Sequence, residues 1–215
     1  KNVLDFSEIS REEFESKIAD YVGAKYACSI HSATMAIFMC LLEKDRQVVT
    51  IPSIIPPVVP NAILTSGHDI MYRDDTDWVG HSYVLHDFGD YKIIDSAQQL
   101  DKDQYKKLAN DEDLMIFSFY PTKPVGSIDG GMIVSNDKSK IDRLKTLSRY
   151  GTNFEDNSWE RKFVLPGWKM YMNSVQASYS LGGATLSLAR ADYDNIGYAD
   201  GSDASDTIIA INFAF

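Results

Sequence analysis

The 215-residue sequence predicts an α/β fold built on a mainly parallel sheet, closed by a C-terminal β-hairpin, and three observations carry that expectation. Short β-rich runs recur with little alternation of apolar and polar residues, as in strands covered on both faces. Segments of helical periodicity intervene between those runs, the element order that builds layered α/β folds. The last residues follow a different rule, a strict period of two. A composition of 44% hydrophobic and 24% charged residues suits one good-sized core or two small ones and excludes disorder for the bulk of the chain. A net charge of −10 leaves no basic surface to neutralise phosphates, which argues against a nucleic-acid partner. No apolar run approaches the ~20 residues of a transmembrane helix. The N-terminus has no signal-peptide pattern, and it begins at Lys1 rather than methionine, from which an upstream segment is expected.

The elements follow in order. Ser10-Arg11-Glu12-Glu13 reads as a capping box, and Phe14, Ile18 and Val22 recur at i, i+4, i+8 until Gly23 stops the helix. A strand over Lys25–Ile30 is followed by His31-Ser32-Ala33-Thr34 and a helix from Met35 to about Lys44. Further strands are expected at Gln47–Ile51, Asp69–Arg73, His81–Leu85, Tyr91–Ile94, Leu114–Phe119 and Gly131–Ser135. Helices are expected at about Val59–Thr65, Lys102–Ala109 and Lys138–Tyr150, the last closed by Gly151. Pro52, Pro56, Pro57 and Pro60 crowd one connection, which is either a rigid loop or a wall of a ligand site. Cys28 and Cys40 read as buried, reduced thiols. The four histidines, at 31, 68, 81 and 86, show no zinc-ligand spacing.

The tail departs from this pattern. All the lysines lie at or before Lys169, whereas the 39 residues from Ala177 onward hold one Arg, five Asp and neither Lys nor Glu. Those residues therefore supply −4 of the net −10. Ile209, Ile211, Phe213 and Phe215 share one face of a terminal strand, and a β-rich stretch from Ala184 to about Tyr198 precedes it. A polar, Gly-containing connection at Ala199–Asp206 makes the two a plausible hairpin.

Three segments carry candidate chemistry. Ser32-Ala33-Thr34 sits where a strand turns into a helix, so backbone N–H groups and the Thr34 hydroxyl can hold a phosphate at the positive helix end; an ordinary N-cap explains the same residues. Asp95-Ser96-Ala97-Gln98 ends a buried-type strand in a carboxylate. Such an acid can pair with a protonated heterocyclic nitrogen, and the Gln98 amide can reach a neighbouring phenolic oxygen; a solvated turn would account for Asp95 equally cheaply. Ser118 and Lys123 flank the end of an apolar strand, where ligands bind in open α/β sheets. A lysine there can form a Schiff base with a carbonyl compound, although a single loop lysine is most often only a surface group.

Together these segments resemble the sugar aminotransferases of the DegT/DnrJ/StrS family, pyridoxal-phosphate enzymes of fold type I. Ala33-Thr34 matches the family's phosphate-loop pattern, Asp95-Ser96-Ala97-Gln98 its Asp-x-Ala-(His/Gln) element, and Ser118-Phe119-Tyr120-Pro121-Thr122-Lys123 with Gly130-Gly131 its Ser-Phe-x-x-x-Lys and Gly-Gly elements. The resemblance spans roughly residues 8–177. It implies a three-layer large domain, incomplete here, over residues 1–177, with residues 178–215 as a separate tail foreign to the family's pattern. It also implies that Lys123 carries pyridoxal 5′-phosphate as a Schiff base and shuttles the proton, and that Asp95 keeps the pyridine nitrogen protonated. Gln98 would contact the ring-hydroxyl side, and Ser118, Thr34 and the Ala33 backbone would bind the phosphate. The implied reaction moves an amino group from glutamate to a nucleotide-linked keto-sugar, in a cytoplasmic homodimer, with no metal.

Four features depart from the family's pattern. Pro56 stands where the family usually places an aromatic ring over the cofactor. Almost nothing remains between His86-Asp87-Phe88-Gly89 and Tyr91 of a helix the family normally inserts. Lys169 and Tyr171 occupy positions that are usually Asn and Arg. After Ala177 the family continues into a small closing domain, whereas residues 182–215 resemble the last hairpin of an alphaproteobacterial porin, which suggests a junction near residues 176–182. The rival expectations are therefore an inactive truncated or chimeric relic and, from the tail alone, an outer-membrane porin fragment.

Overall fold

The computed structural model describes residues 10–42, 44–127, 129–153 and 160–172, and the backbone of 174–181, 184–193 and 204–213. Five helices and ten strands are assigned among these residues. Helix α1 (Arg11–Val22) starts at Ser10, whose hydroxyl accepts from the Glu13 N–H at 3.1 Å. It ends at Gly23, whose φ of 81° is the left-handed conformation that favours glycine. Strand β1 (Tyr26–Ile30) leads into α2 (Ala33–Leu41), which starts two residues earlier than the apolar periodicity indicated because Ser32 caps it.

The central sheet has five strands in the order β1-β7-β6-β5-β4, where β4 is Tyr83–Asp87, β5 Lys92–Asp95, β6 Leu114–Ser118 and β7 Gly131–Ser135. Strands β2 (Val48–Pro52) and β3 (Asp69–Arg73) pair separately and in parallel, joined by α3 (Val58–Thr65). Successive residues of the central strands face opposite cores. Ile93, Leu114, Ile116 and Ile133 pack with α2, α3 and α5 (Lys138–Ser148). Ile94, Met115, Phe117, Met132 and Val134 pack with α1 and Tyr105 of α4 (Gln104–Leu108). This is why the strands read as continuous apolar runs: both faces are covered, giving three layers.

The α/β class stands, but the strand directions correct the mainly parallel expectation. Within the central sheet only β5 and β6 run parallel; β1–β7, β7–β6 and β4–β5 are antiparallel. Apolar runs report coverage of both faces and carry no information on direction. For β4–β5 the cause is chain length, since a parallel crossover needs about a dozen residues. Only Phe88 to Tyr91 connect them, so the chain turns back on itself, with Phe88 N–H donating to Tyr91 O at 3.0 Å and Gly89 at φ 89°.

The expected C-terminal hairpin is β9 (Ala184–Tyr193) paired antiparallel with β10 (Ala204–Phe213), and β8 (Ser174–Leu181) extends it to a three-stranded sheet. Most of the polar connection, at 199–203, and Phe215 lie outside the described residues, as do the side chains of the terminal strand. Cys28 and Cys40 are buried free thiols, and burial pushes the Cys28 thiol up to about 12. No described helix is long and apolar enough to cross a membrane.

Candidate active site

The site lies at the C-terminal ends of β5 and β6, facing the N-terminus of α2. Ser32 is extended (φ −159°), and its hydroxyl accepts from the Met35 N–H at 3.3 Å. Ala33 and Thr34 take the first helical positions, whose N–H groups have no intrahelical acceptor and whose partial positive charge suits an anion. Ser118 ends β6 and sits directly across from Gly131, the first residue of β7. Gly131 in turn lies under the start of α2. A Cβ at this position would stand 2.6 Å from Ala33 N and Ser32 C and 2.8 Å from Ser32 O.

That close approach explains why the second glycine of Gly130-Gly131 belongs to the site: it lets a helix end rest on a strand end beside the Ser118 hydroxyl. Because the obstructing atoms are backbone, Gly131→Ala is expected to cost about 1–3 kcal/mol. Denaturant unfolding checks this, and an unchanged midpoint would show that α2 yields freely.

Asp95, the last residue of β5, is 5% exposed. Its Oδ1 accepts from the Ala97 N–H at 2.9 Å, a local turn that Asp favours, and its Oδ2 accepts from the Tyr83 hydroxyl at 3.0 Å. Burial pushes the Asp95 carboxyl above the ordinary carboxylate range, against the opposing pull of these two donors and of the Lys123 charge. Burial, together with the Asp95 charge, pushes the Tyr83 phenol well up, so it remains a donor. Gln98 Oε1 accepts from the Gly80 N–H at 2.6 Å, tying the loop before β4 to the end of β5. Lys123 stands half-buried in the loop after β6, its backbone N–H donating to Tyr120 O at 2.9 Å.

A cavity of about 480 Å³ gathers these groups. Ala33, Thr34, Asp95, Gln98, Ser118 and Lys123, the six residues expected from the sequence, all line it. Pro56 lines it too, from the proline-rich connection, which is therefore a wall of the cavity as well as a loop.

The sequence reading missed Trp78, His81 and Tyr83, which also line the cavity. Trp78 is buried, and its ring packs on that of Tyr83 at 5.8 Å. The available signal was the short connection at 88–91: a forced hairpin pairs residues across it, and Tyr83 is the cross-strand partner of Asp95.

With this geometry in place, comparison with known proteins is decisive for the family. The sequence profile of the DegT/DnrJ/EryC1/StrS aminotransferase family matches residues 8–75 and 87–189. The chain belongs to this family. A UDP-4-amino-4,6-dideoxy-N-acetyl-beta-L-altrosamine transaminase of Campylobacter jejuni is 26% identical over 208 residues, covering 79% of this chain and 55% of the relative. Among solved structures, PseC of Helicobacter pylori, an aminotransferase involved in the biosynthesis of pseudoaminic acid, superposes with a TM-score of 0.57 at 16% identity, covering 80% of this chain and 56% of that one. NtdA of Bacillus subtilis, solved with PMP as bound cofactor, gives 0.59 at 18% identity, covering 78% and 46%. The chain thus spans about half the length of the curated relatives it matches. Residues 76–86, which hold Trp78, His81 and Tyr83, fall between the two matched stretches.

Proposed function

We propose that this chain is the large-domain part of a pyridoxal-phosphate aminotransferase that moves an amino group from glutamate to a nucleotide-linked keto-sugar. It would act as a cytoplasmic homodimer, with residues 178–215 as a unit of their own. One observation carries the reading: a lysine, a buried carboxylate and an open helix N-terminus with a serine beside it converge on one cavity. Its volume falls within the range of small-molecule sites.

The residues fit the cofactor end by end. Ala33 and Thr34 N–H groups with the Thr34 and Ser118 hydroxyls suit the phosphate. The Asp95 carboxylate, with one donor on each oxygen, keeps acceptor capacity for a ring N–H and would hold that proton on the ring nitrogen. Gln98 would address the ring oxygen from the side fixed by Gly80. Lys123 Nζ supplies the attaching amine and then moves the proton within the substrate. Bound pyridoxal phosphate would supply the electrophilic carbonyl and the electron sink. Trp78, Ile55 and Pro56 would wall the cavity and keep water out.

Adding pyridoxal phosphate is expected to produce a visible absorbance band. Borohydride reduction followed by peptide mass spectrometry is then expected to find the pyridoxyl group on Lys123. Labelling spread over several surface lysines, or no label, would sink the proposal. A labelled Lys123 without turnover toward a keto-sugar nucleotide would identify a cofactor-binding relic, a reading that Pro56 favours because it offers no ring to stack.

A further inference from the structure

We infer that Tyr83 is a positioning residue that holds the Asp95 carboxylate in place for the protonated ring nitrogen, a device supplied by the stretch between the two family-matched segments. The inference rests on the functional reading above for the role of Asp95, but its evidence is separate. Tyr83 and Asp95 are cross-strand partners in the β4–β5 hairpin, and the phenol donates to Oδ2 at 3.0 Å while the Ala97 N–H takes Oδ1 at 2.9 Å. The carboxylate plane is therefore fixed from both sides. Trp78 packs at 59° to the Tyr83 ring and limits where the phenol can swing.

The connection at 88–91 makes this arrangement possible. Joined to β5 by a long crossover, β4 would run in the opposite direction, with a different residue opposite Asp95. The shortened connection reverses β4 and brings Tyr83 to the carboxylate.

The charged and titratable groups around the pair come from several elements. Tyr83 comes from β4 and Lys123 from the loop after β6, and Arg73 of β3 acts on the Tyr83 phenol. His81, Tyr120 and Asp129 are the other titratable side chains that line the cavity. Among these, the Tyr83 hydroxyl and the Lys123 charge favour the ionised form of Asp95 directly.

The test compares wild type, Tyr83→Phe and, as a control, Tyr72→Phe, an exposed tyrosine of β3 outside the cavity. Two quantities are read: the ¹³C carboxyl titration of Asp95 in the cofactor-free chain, and the dissociation constant for pyridoxal phosphate. Loss of the hydroxyl is expected to move the Asp95 titration upward by about one pH unit and to weaken cofactor binding about ten-fold. Tyr72→Phe should change neither. A merely structural role would lower the melting temperature without moving the titration. Cofactor uptake by wild type together with an unmoved Asp95 titration in Tyr83→Phe overturns the inference and leaves the functional reading standing. No uptake by wild type overturns the functional reading itself, and the ring-nitrogen role with it. If the Phe variant does not fold, 3-fluorotyrosine at position 83, a stronger donor, must lower the Asp95 titration; no downward movement overturns the inference.

Discussion

Lys123→Ala is expected to leave the chain folded while abolishing the visible band of the lysine-bound cofactor and slowing the glutamate half-reaction by about 10³-fold or more. The fold should survive because the loop after β6 is held by its backbone. Phe119 N–H donates to Gly130 O, Lys123 N–H to Tyr120 O and Ser127 N–H to Phe119 O, and alanine keeps all three. The change removes the attaching amine and the proton carrier together, so the loss should exceed that from any single binding contact. Stopped-flow absorbance after mixing with glutamate reads the rate, and circular dichroism checks the fold. Added ethylamine should restore part of the rate if what is missing is an amine. A full-strength band in Lys123→Ala would remove this residue from its role.

Asp95→Asn is expected to separate activity from stability. The amide is nearly isosteric; its oxygen can keep the Ala97 N–H bond, and its NH₂ can donate to the Tyr83 hydroxyl, which can accept as well as donate. What is lost is the negative charge that holds a proton on the ring nitrogen, an electrostatic role for which about 10²–10³-fold in rate is typical.

Stability should move the other way. Burial raises the Asp95 titration above the ordinary carboxylate range, so the folded chain binds this proton more tightly than the unfolded chain does. By linkage, the Asp95 contribution favours folding below that ordinary range and declines as pH rises through the raised value. Once that contribution is lost, the wild type bears the cost that burial imposes on the ionised carboxyl, which the neutral amide of the variant avoids. Asp95→Asn should therefore unfold at equal or higher denaturant at neutral pH, and that difference should shrink as pH falls into the carboxylate range. Rate measurements with urea titrations at the two pH extremes check both halves. A variant both inactive and markedly less stable at neutral pH would show that Asp95 is there to hold the fold.

The regularities legible in the sequence were those set by local chemistry. Ser10 and Gly23 bound α1 because a hydroxyl can cap an open N–H and a glycine can turn left-handed. The runs at 114–119 and 131–135 read as strands covered on both faces, and the structure covers both faces of β6 and β7. Lys123, Asp95 and Ala33-Thr34 stood out because strand ends and helix starts are where a chain presents such groups. Strand direction was not legible in the apolar runs, since burial on both faces looks the same in either direction; for β4 the short connection at 88–91 was the local signal.

Sequence alone establishes the family, the order of helices and strands through α5, and six of the residues that line the cavity. The folded sheet adds the register of the β4–β5 hairpin, by which Tyr83 meets Asp95 and Trp78 packs on Tyr83. The reason is physical. Caps, turns and periodicity act within a few residues, so they are written locally. A cross-strand contact depends on the register of a hairpin, which is settled only when the sheet assembles and both of its faces are buried.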